Sequence, residues 1–288
     1  MIEKNISFEK VHIYLLGLLT EFKRQCEIAG VKYYATRGTL IGTMRHKGFI
    51  PWDDDIDVVI CRKDYKKLIE SMEKNLPDGY CVVSPENNRH YFQEFPKLCY
   101  KNKDGNPSSL CVDIFIYDKT NIKRKLFRAY QNAAKQILYH TKRFKVIKAQ
   151  TGKSATANHF LAQCVFRLLS GIMSFEAIDK MLLRIMTADS RKNCEYVTNW
   201  GSCYNYKIST FKAEDVCGES FEMPFEGIMI NVPVGWKTYL ETTYGKDVMS
   251  VPPKEKRYNN SNTDSGLENV DFEKLKRKIE KAKPQRKE

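Results

Sequence analysis

Four aspartates within five positions, Asp53-Asp54-Asp55-Ile56-Asp57, run straight into Val58-Val59-Ile60, and few folds can hold that combination. A β-branched run belongs in a core strand, which draws the carboxylates ahead of it toward the interior. Alternation along a strand from 53 to 60 predicts Asp53, Asp55 and Asp57 on one face, with Asp54, Ile56 and Val58 on the other. Carboxylates that close repel, so they either hold protons or take up a cation, and hard oxygen donors suit Mg²⁺ or Mn²⁺. The alternative for an Asp-x-Asp standing alone is an acidic surface loop.

Two flanking stretches strengthen the cation reading. Upstream, Arg37-Gly38-Thr39-Leu40-Ile41-Gly42 places a glycine and a hydroxyl at the start of a short helix, where free N–H groups and the helix dipole can hold a phosphate. Downstream, Asp113 interrupts the apolar strand Leu110-Cys111-Val112-Asp113-Ile114-Phe115-Ile116. A buried carboxylate needs a partner, either the metal beside Asp55 and Asp57 or a nearby lysine. Arg45, His46 and Lys47 lie close enough in sequence to reach phosphate oxygens, and Trp52 can lie against a base or ring. Otherwise Arg45 and Lys47 face solvent and Trp52 is core.

Helical periodicity over 7–29, with Ser7 as N-cap and Gly30 as C-terminal stop, predicts a first helix. A strand over 31–36, a short helix over 38–44, a strand over 53–60 and a helix over 62–75 follow. Strands are expected at 80–84, 95–100 and 109–117, the last two paired. From 122 to 189 strand signals vanish and two or three helices are expected, carrying a dense basic set. Strands return at 195–199 and 221–232, with a tight turn at Phe225-Glu226-Gly227, then a helix at 235–244. Residues 259–262 read as loop. The tail helix over 272–283, with Phe272, Leu275 and Ile279 on one face, reads as a solvated terminal helix whose lysines permit weak attraction to an anionic membrane. The fold class is therefore α+β: a mixed sheet with flanking helices and an added helical lobe.

Charge and cysteine usage bound the partners. Forty-eight Lys and Arg against 35 Asp and Glu give +13, which favours phosphates, nucleic acids or anionic membranes. Nine dispersed cysteines, none spaced Cys-x-x-Cys, indicate neither a zinc site nor a disulfide framework and fit a reducing cytoplasm. No secretory leader and no transmembrane helix are expected.

The run from Arg37 through Asp57 resembles the signature of the LicD family, which includes bacterial phosphocholine transferases and, more distantly, fukutin and fukutin-related protein. The likeness continues through Val112-Asp113-Ile114-Phe115 and, more loosely, through Phe225-Glu226-Gly227, Tyr239-Leu240, Tyr244-Gly245 and Pro252-Pro253-Lys254-Glu255-Lys256-Arg257. It implies a nucleotidyltransferase-like core over 1–120 and the rest of the family domain over 191–258, whereas the helical lobe over 121–190 and the polar, basic tail over 259–288 are read from the residues and have no counterpart in it. It also puts Gly38 and Thr39 in the place of the glycine-hydroxyl motif, and Asp55, Asp57 and Asp113 in the places of the metal-binding carboxylates, with Asp53 a further catalytic candidate.

The expected reaction is metal-dependent transfer of a phospho-alcohol from a CDP-activated donor such as CDP-choline to a glycan, possible acceptors being lipopolysaccharide or teichoic-acid precursors. Gly38, Thr39, Arg45, His46, Lys47 and Trp52 are the substrate-binding candidates. Choline recognition calls for an aromatic cage, for which Tyr33, Tyr34, Trp52, Tyr91, Trp200, Tyr204 and Tyr206 are candidates. The rivals are an Asp-x-Asp nucleotide-sugar glycosyltransferase and a non-catalytic basic binder of membranes or nucleic acid. No nucleic-acid partner is expected, and the location implied is cytoplasmic, peripheral at the inner face of the cell membrane.

Overall fold

A computed structural model describes residues 7–152, 160–190, 193–201, 206–257, 267 and 269–284. Cys203, Tyr204 and the loop at 259–262 lie outside the described residues. The chain forms two compact units. One comprises the residues up to Val82, Lys97–Ile116 and those from Ala213 onward, and the other Val83–Pro96 with Tyr117–Lys212.

The first unit opens with α1 (Phe8–Ala29), which starts where Ser7 Oγ accepts from the Lys10 N–H and stops at Gly30 in the left-handed region, φ 56°. The strands are β1 (Tyr33–Ala35), β2 (Ile56–Cys61), β3 (Tyr80–Val83), β4 (Lys97–Lys101) and β5 (Pro107–Thr120), in the sheet order β1-β2-β5-β4-β3. Helices α2 (Arg37–His46) and α3 (Arg62–Asn75) flank β2, whose Ile56, Val58 and Ile60 are fully buried. The antiparallel pairing of β4 with β5 sets Lys97 opposite Asp113 and Cys99 opposite Cys111.

Cys99 and Cys111 form a disulfide, their Cα atoms 4.4 Å apart. The spacing of the cysteines in the sequence carries no sign of this, because the pairing depends on strand register.

Strand β2 begins at Ile56, so the expectation of a strand from Asp53 is corrected. Asp53–Asp55 form an extended lead-in that follows a turn, in which the Asp53 N–H donates to the Ile50 carbonyl at 2.9 Å. Three adjacent like charges are poor strand formers, and the β-branched residues begin the ladder.

The C-terminal part of this unit supplies α7 (Ala213–Cys217), the hairpin β8 (Ser220–Phe225) and β9 (Ile228–Pro233), α8 (Trp236–Tyr244) and α9 (Phe272–Ala282). Glu226 and Gly227, at φ 51° and 84°, make the tight hairpin turn. The reading of α9 as a solvated or membrane-seeking helix is corrected. Leu275 and Ile279 are buried, α9 packs on α1, and a Cβ on Gly17 of α1 would meet Leu275 Cδ1 at 2.3 Å. Lys278 closes the contact on the buried Glu21 at 2.6 Å.

In the second unit, α4 (Lys125–Thr151), α5 (Phe160–Ile172) and α6 (Phe175–Met186) accompany β6 (Tyr196–Asn199) and β7 (Thr210–Lys212). The antiparallel partners of β6 are the C-terminal residues of β5 on one side and β7 on the other. Its core joins Leu138, Ile178, Leu182, Met186 and Trp200. Beside that core lie two buried lysines. Lys135 pairs with the buried Glu94 at 3.3 Å, and Lys142 pairs with Asp179.

Candidate active site

The site is built where β2 starts. Asp57, 5% exposed, is fixed through its backbone: its N–H donates to Thr39 Oγ1 at 2.8 Å and its carbonyl accepts from the Thr36 N–H at 3.2 Å. Thr39 therefore couples the first turn of α2 to the acidic strand. Gly38 fits there because it has no side chain, since a Cβ would meet the Asp53 carboxylate at 2.5 Å. Behind the turn, the Thr36 hydroxyl donates to Tyr239 Oη of α8 at 2.7 Å. Residue Arg37 sits at φ 50°, a left-handed conformation that costs a non-glycine residue of the order of 1 kcal/mol. Its guanidinium lies over the Phe115 ring, 4.2 Å from the centroid.

Phe115 and Asp113 are two apart on β5 and share a face. The charge of Arg37 is felt by Asp55, Asp57 and Asp113 alike, in each case favouring the ionised carboxylate. Burial acts the other way and is larger. It lifts Asp57 well above the usual range, with Asp55 adding to the effect. Burial, then the charges of Asp55 and Asp54, push Asp53 up to about 7. Asp53 and Asp55 share a hydrogen bond that raises the first and lowers the second. Asp55 opens to solvent at the mouth of the cluster, where lost hydration and the charge of Asp113 still raise it. Asp113 is raised by burial, opposed by Lys97, whose Nζ lies 2.8 Å from its carboxylate. The lysine partner weighed for Asp113 is thus present, directly across the β4–β5 register.

The other candidates have more structural surroundings. Arg45 donates from Nη1 to the carbonyls of Val248 and Ser250, at 3.2 and 2.9 Å, and from Nε to His46 Nε2 at 2.9 Å. Lys47, at φ 57°, caps the end of α2 and is exposed. Trp52 lies under the Arg257 guanidinium at 4.5 Å. The candidates for the aromatic cage are divided between the two units. Tyr33 and Tyr34 are core residues of the first unit, whereas Trp200 belongs to the core of the second and Tyr206 packs against it. Tyr91 hydrogen-bonds the Phe95 carbonyl at 2.8 Å. Tyr239 and Tyr244, both sensitive to the charges of Arg37 and Asp57, are the tyrosines beside the acids.

Several contributors carried no local sign in the sequence. His12, on α1, donates from Nε2 to the Asp53 carbonyl, 2.8 Å away, and stacks on Phe49 at 4.1 Å. Glu226 at the β8–β9 turn takes the Phe49 N–H at 3.0 Å and donates its own N–H to the Lys47 carbonyl at 2.9 Å. That clamp holds the loop 47–50 leading into the aspartates, and it gives Phe225-Glu226-Gly227 a purpose. Arg37 and Arg257 do stand inside the motifs, but their placement becomes visible only in the fold.

Among the described residues, no three His, Cys, Asp or Glu side chains converge as a ready metal cage. The donor set nonetheless fits a hard divalent cation, because it gathers oxygen ligands whose mutual repulsion and burial penalise every negative charge added without one.

A mixed sheet with acids at the start of an inner strand, and a glycine-hydroxyl helix tied to that strand, make up an α+β domain with its carboxylates gathered at one strand end. Residues 30–147 match the family described as LicD/FKTN/FKRP, nucleotidyltransferase domain. It is 28% identical over 265 residues to the lipopolysaccharide cholinephosphotransferase LicD of Haemophilus influenzae, covering 88% of this chain and 95% of that protein. An uncharacterized protein of Rickettsia prowazekii is 32% identical over 93 residues, 32% of this chain and 29% of its own length. Another from Rickettsia typhi is 28% identical over 141 residues, 48% of this chain and 40% of its own.

Proposed function

We propose that this chain is a metal-dependent phosphotransferase that moves a phospho-alcohol, phosphocholine or a close analogue, from a CDP-activated donor to a cell-surface glycan. The observation that carries the reading is the gathering of Asp55, Asp57 and Asp113 around one arginine, Arg37, at the start of β2, with Asp53 beside Asp55 and Asp57. The nearly full-length likeness to a lipopolysaccharide cholinephosphotransferase supports phosphocholine as the group and lipopolysaccharide as the kind of acceptor.

Asp55 and Asp57, joined by Asp113, would hold Mg²⁺ or Mn²⁺. A bound ion neutralises the donor diphosphate and the charge that develops on the leaving nucleotide. Arg37 binds phosphate oxygens from the opposite charge side, and the first turn of α2 offers its N–H groups to the same oxygens. A glycan hydroxyl attacks the phosphorus that bears the alcohol. The new P–O ester forms as the bridging P–O bond breaks, CMP departs, and the hydroxyl proton passes to a carboxylate. Asp53, with proton affinity near neutrality, is the group matched to accept it. Trp52, held under Arg257, offers its ring to the base or head group.

This reading sets the acceptor on a lipid carrier and the protein at the inner membrane face. Among the described residues no single helix is long and apolar enough to cross a membrane. The test is transfer by the purified chain from CDP-choline to lipopolysaccharide with Mg²⁺, followed by ³¹P spectroscopy. A new phosphodiester with release of CMP, abolished by Asp57→Asn and by chelation, is expected. Full Mg²⁺-dependent transfer by Asp57→Asn overturns the mechanism. A new glycosidic bond lacking phosphorus would establish the glycosyltransferase instead.

A further inference from the structure

Helix α5 is built inside out. None of its side chains described, those of residues 161–172, is buried, yet its sequence is almost wholly apolar and contains no acid. Leu161, Val165, Leu168 and Ile172, at 78, 46, 64 and 73% exposure, recur at spacings of four, three and four and so form one continuous stripe. The exposed Cys164 lies at its edge. The inward face is held more weakly, through Phe166 on His140 and Phe144 of α4. A soluble helix normally turns its larger apolar face to the core, so this stripe has an occupant elsewhere.

Charge identifies the occupant. Residues 121–190 contain thirteen Lys and Arg against three Asp and Glu, so this segment supplies most of the chain's +13. A second copy of the same lobe would bring like charges together, which opposes self-association through the stripe. An anionic bilayer surface satisfies both features, because it takes apolar side chains into its acyl boundary and attracts lysine and arginine at its headgroups. Arg167 is exposed on α5 itself, while Lys123, Lys125 and Lys148 are exposed on or beside α4.

The geometry is wrong for a span. The 13 residues of α5 reach about 20 Å, against a hydrocarbon core of ~30 Å. Helix α6 does not extend it, since the two meet at 113° and α6 commits Ile178, Leu182 and Met186 to the core of its unit. We infer that α5 is an in-plane membrane anchor that lays Leu161, Val165, Leu168 and Ile172 into an anionic leaflet. The inference rests on the proposed function for its purpose, delivery of the site to a lipid-linked acceptor, but its test needs neither donor nor catalysis.

The test is flotation of the full chain with vesicles of phosphatidylcholine alone or mixed with phosphatidylglycerol, comparing wild type with Leu161→Gln/Leu168→Gln. Binding to the anionic vesicles is expected, with a loss of roughly tenfold or more in the double variant. Raising salt well past physiological strength should weaken binding only in part, because the apolar contact is not screened. Leu168→Trp keeps the stripe apolar and reports directly: its emission should shift to the blue with anionic vesicles and be quenched by brominated acyl chains. Absence of vesicle binding by wild type, or equal binding by the double variant, overturns the proposal. So does concentration-dependent dimerisation that the double variant abolishes, which would assign the stripe to a second copy. Transfer to a water-soluble glycan acceptor should be unchanged in the double variant. If that activity is absent from wild type while vesicle binding follows the stripe, the proposed function fails and the anchor stands.

Discussion

Arg37 concentrates the cost and the benefit of this site in one residue. Its left-handed backbone is unfavourable, and what it obtains is a guanidinium laid on Phe115 with its charge shared among three carboxylates. Arg37→Ala and Arg37→Gly should both lower transfer by about 100-fold, the scale expected when a charge-stabilising group is lost from a transition state. They should differ in stability. Glycine adopts φ 50° freely, so Arg37→Gly should exceed Arg37→Ala by about 1 kcal/mol in urea unfolding. Equal stability of the two variants would show that no strain is stored there. The aspartate run and Gly38-Thr39 were readable in the sequence because their chemistry is unusual for their position. The partners of those residues were not. Lys97 reaches Asp113 by strand register, and His12 reaches Asp53 across 41 positions of chain, relations that no local pattern encodes.

At the scale of elements, helices were legible where caps and amphipathic spacing agreed. The bounds of α1 and α3 follow Ser7, Gly30 and the apolar face of 62–75 closely. The acidic strand starts at Ile56 and not at Asp53, because alternating aspartates imitate a ladder that their charges disfavour. The tail helix reads as solvated because five of its eleven residues are Lys or Arg, yet three apolar side chains on one face are enough to find α1. Loop 47–50 was the least legible part, since its clamp comes from the distant Glu226. Gly42 shows how tightly that loop is set. Alanine usually improves a helix interior by about 0.5–1 kcal/mol. Here a Cβ would meet the Gly48 carbonyl oxygen at 2.4 Å and the Ile50 N at 3.2 Å, both backbone atoms. Gly42→Ala should therefore destabilise by about 2 kcal/mol. It should also reduce transfer, by displacing the turn from which Asp53 begins. Glu226→Gln, which keeps an acceptor for the Phe49 N–H, should cost under about 1 kcal/mol, whereas Glu226→Ala should cost about twice that. Thermal and urea unfolding of the three variants checks this order.

For the whole molecule, buried carboxyls in both units set the dependence of stability on pH. Asp53 in the first unit and Glu94 in the second are each raised to about 7, chiefly by burial. A carboxyl whose folded pKa lies above its unfolded value binds protons more tightly in the folded state. Its contribution is complete below the unfolded pKa and is lost as pH rises through the folded one. The metal-free protein should therefore lose stability between about pH 4 and 7, the reverse of ordinary acid denaturation in that interval. The two sources can be separated. Glu94→Gln should flatten the part that belongs to the second unit, a change on the order of 3 kcal/mol between the ends of the window for a carboxyl this deeply buried. Mg²⁺ should restore the part that belongs to the aspartates, because a cation competes with protons for the same oxygens and binds the folded state alone. Its stabilising effect, read as a shift in Tm, should grow from pH 5 to pH 8. It should persist in Glu94→Gln and vanish in Asp55→Asn/Asp57→Asn. A Tm shift with Mg²⁺ that ignores pH, or that survives loss of both aspartates, would place the cation somewhere other than the start of β2.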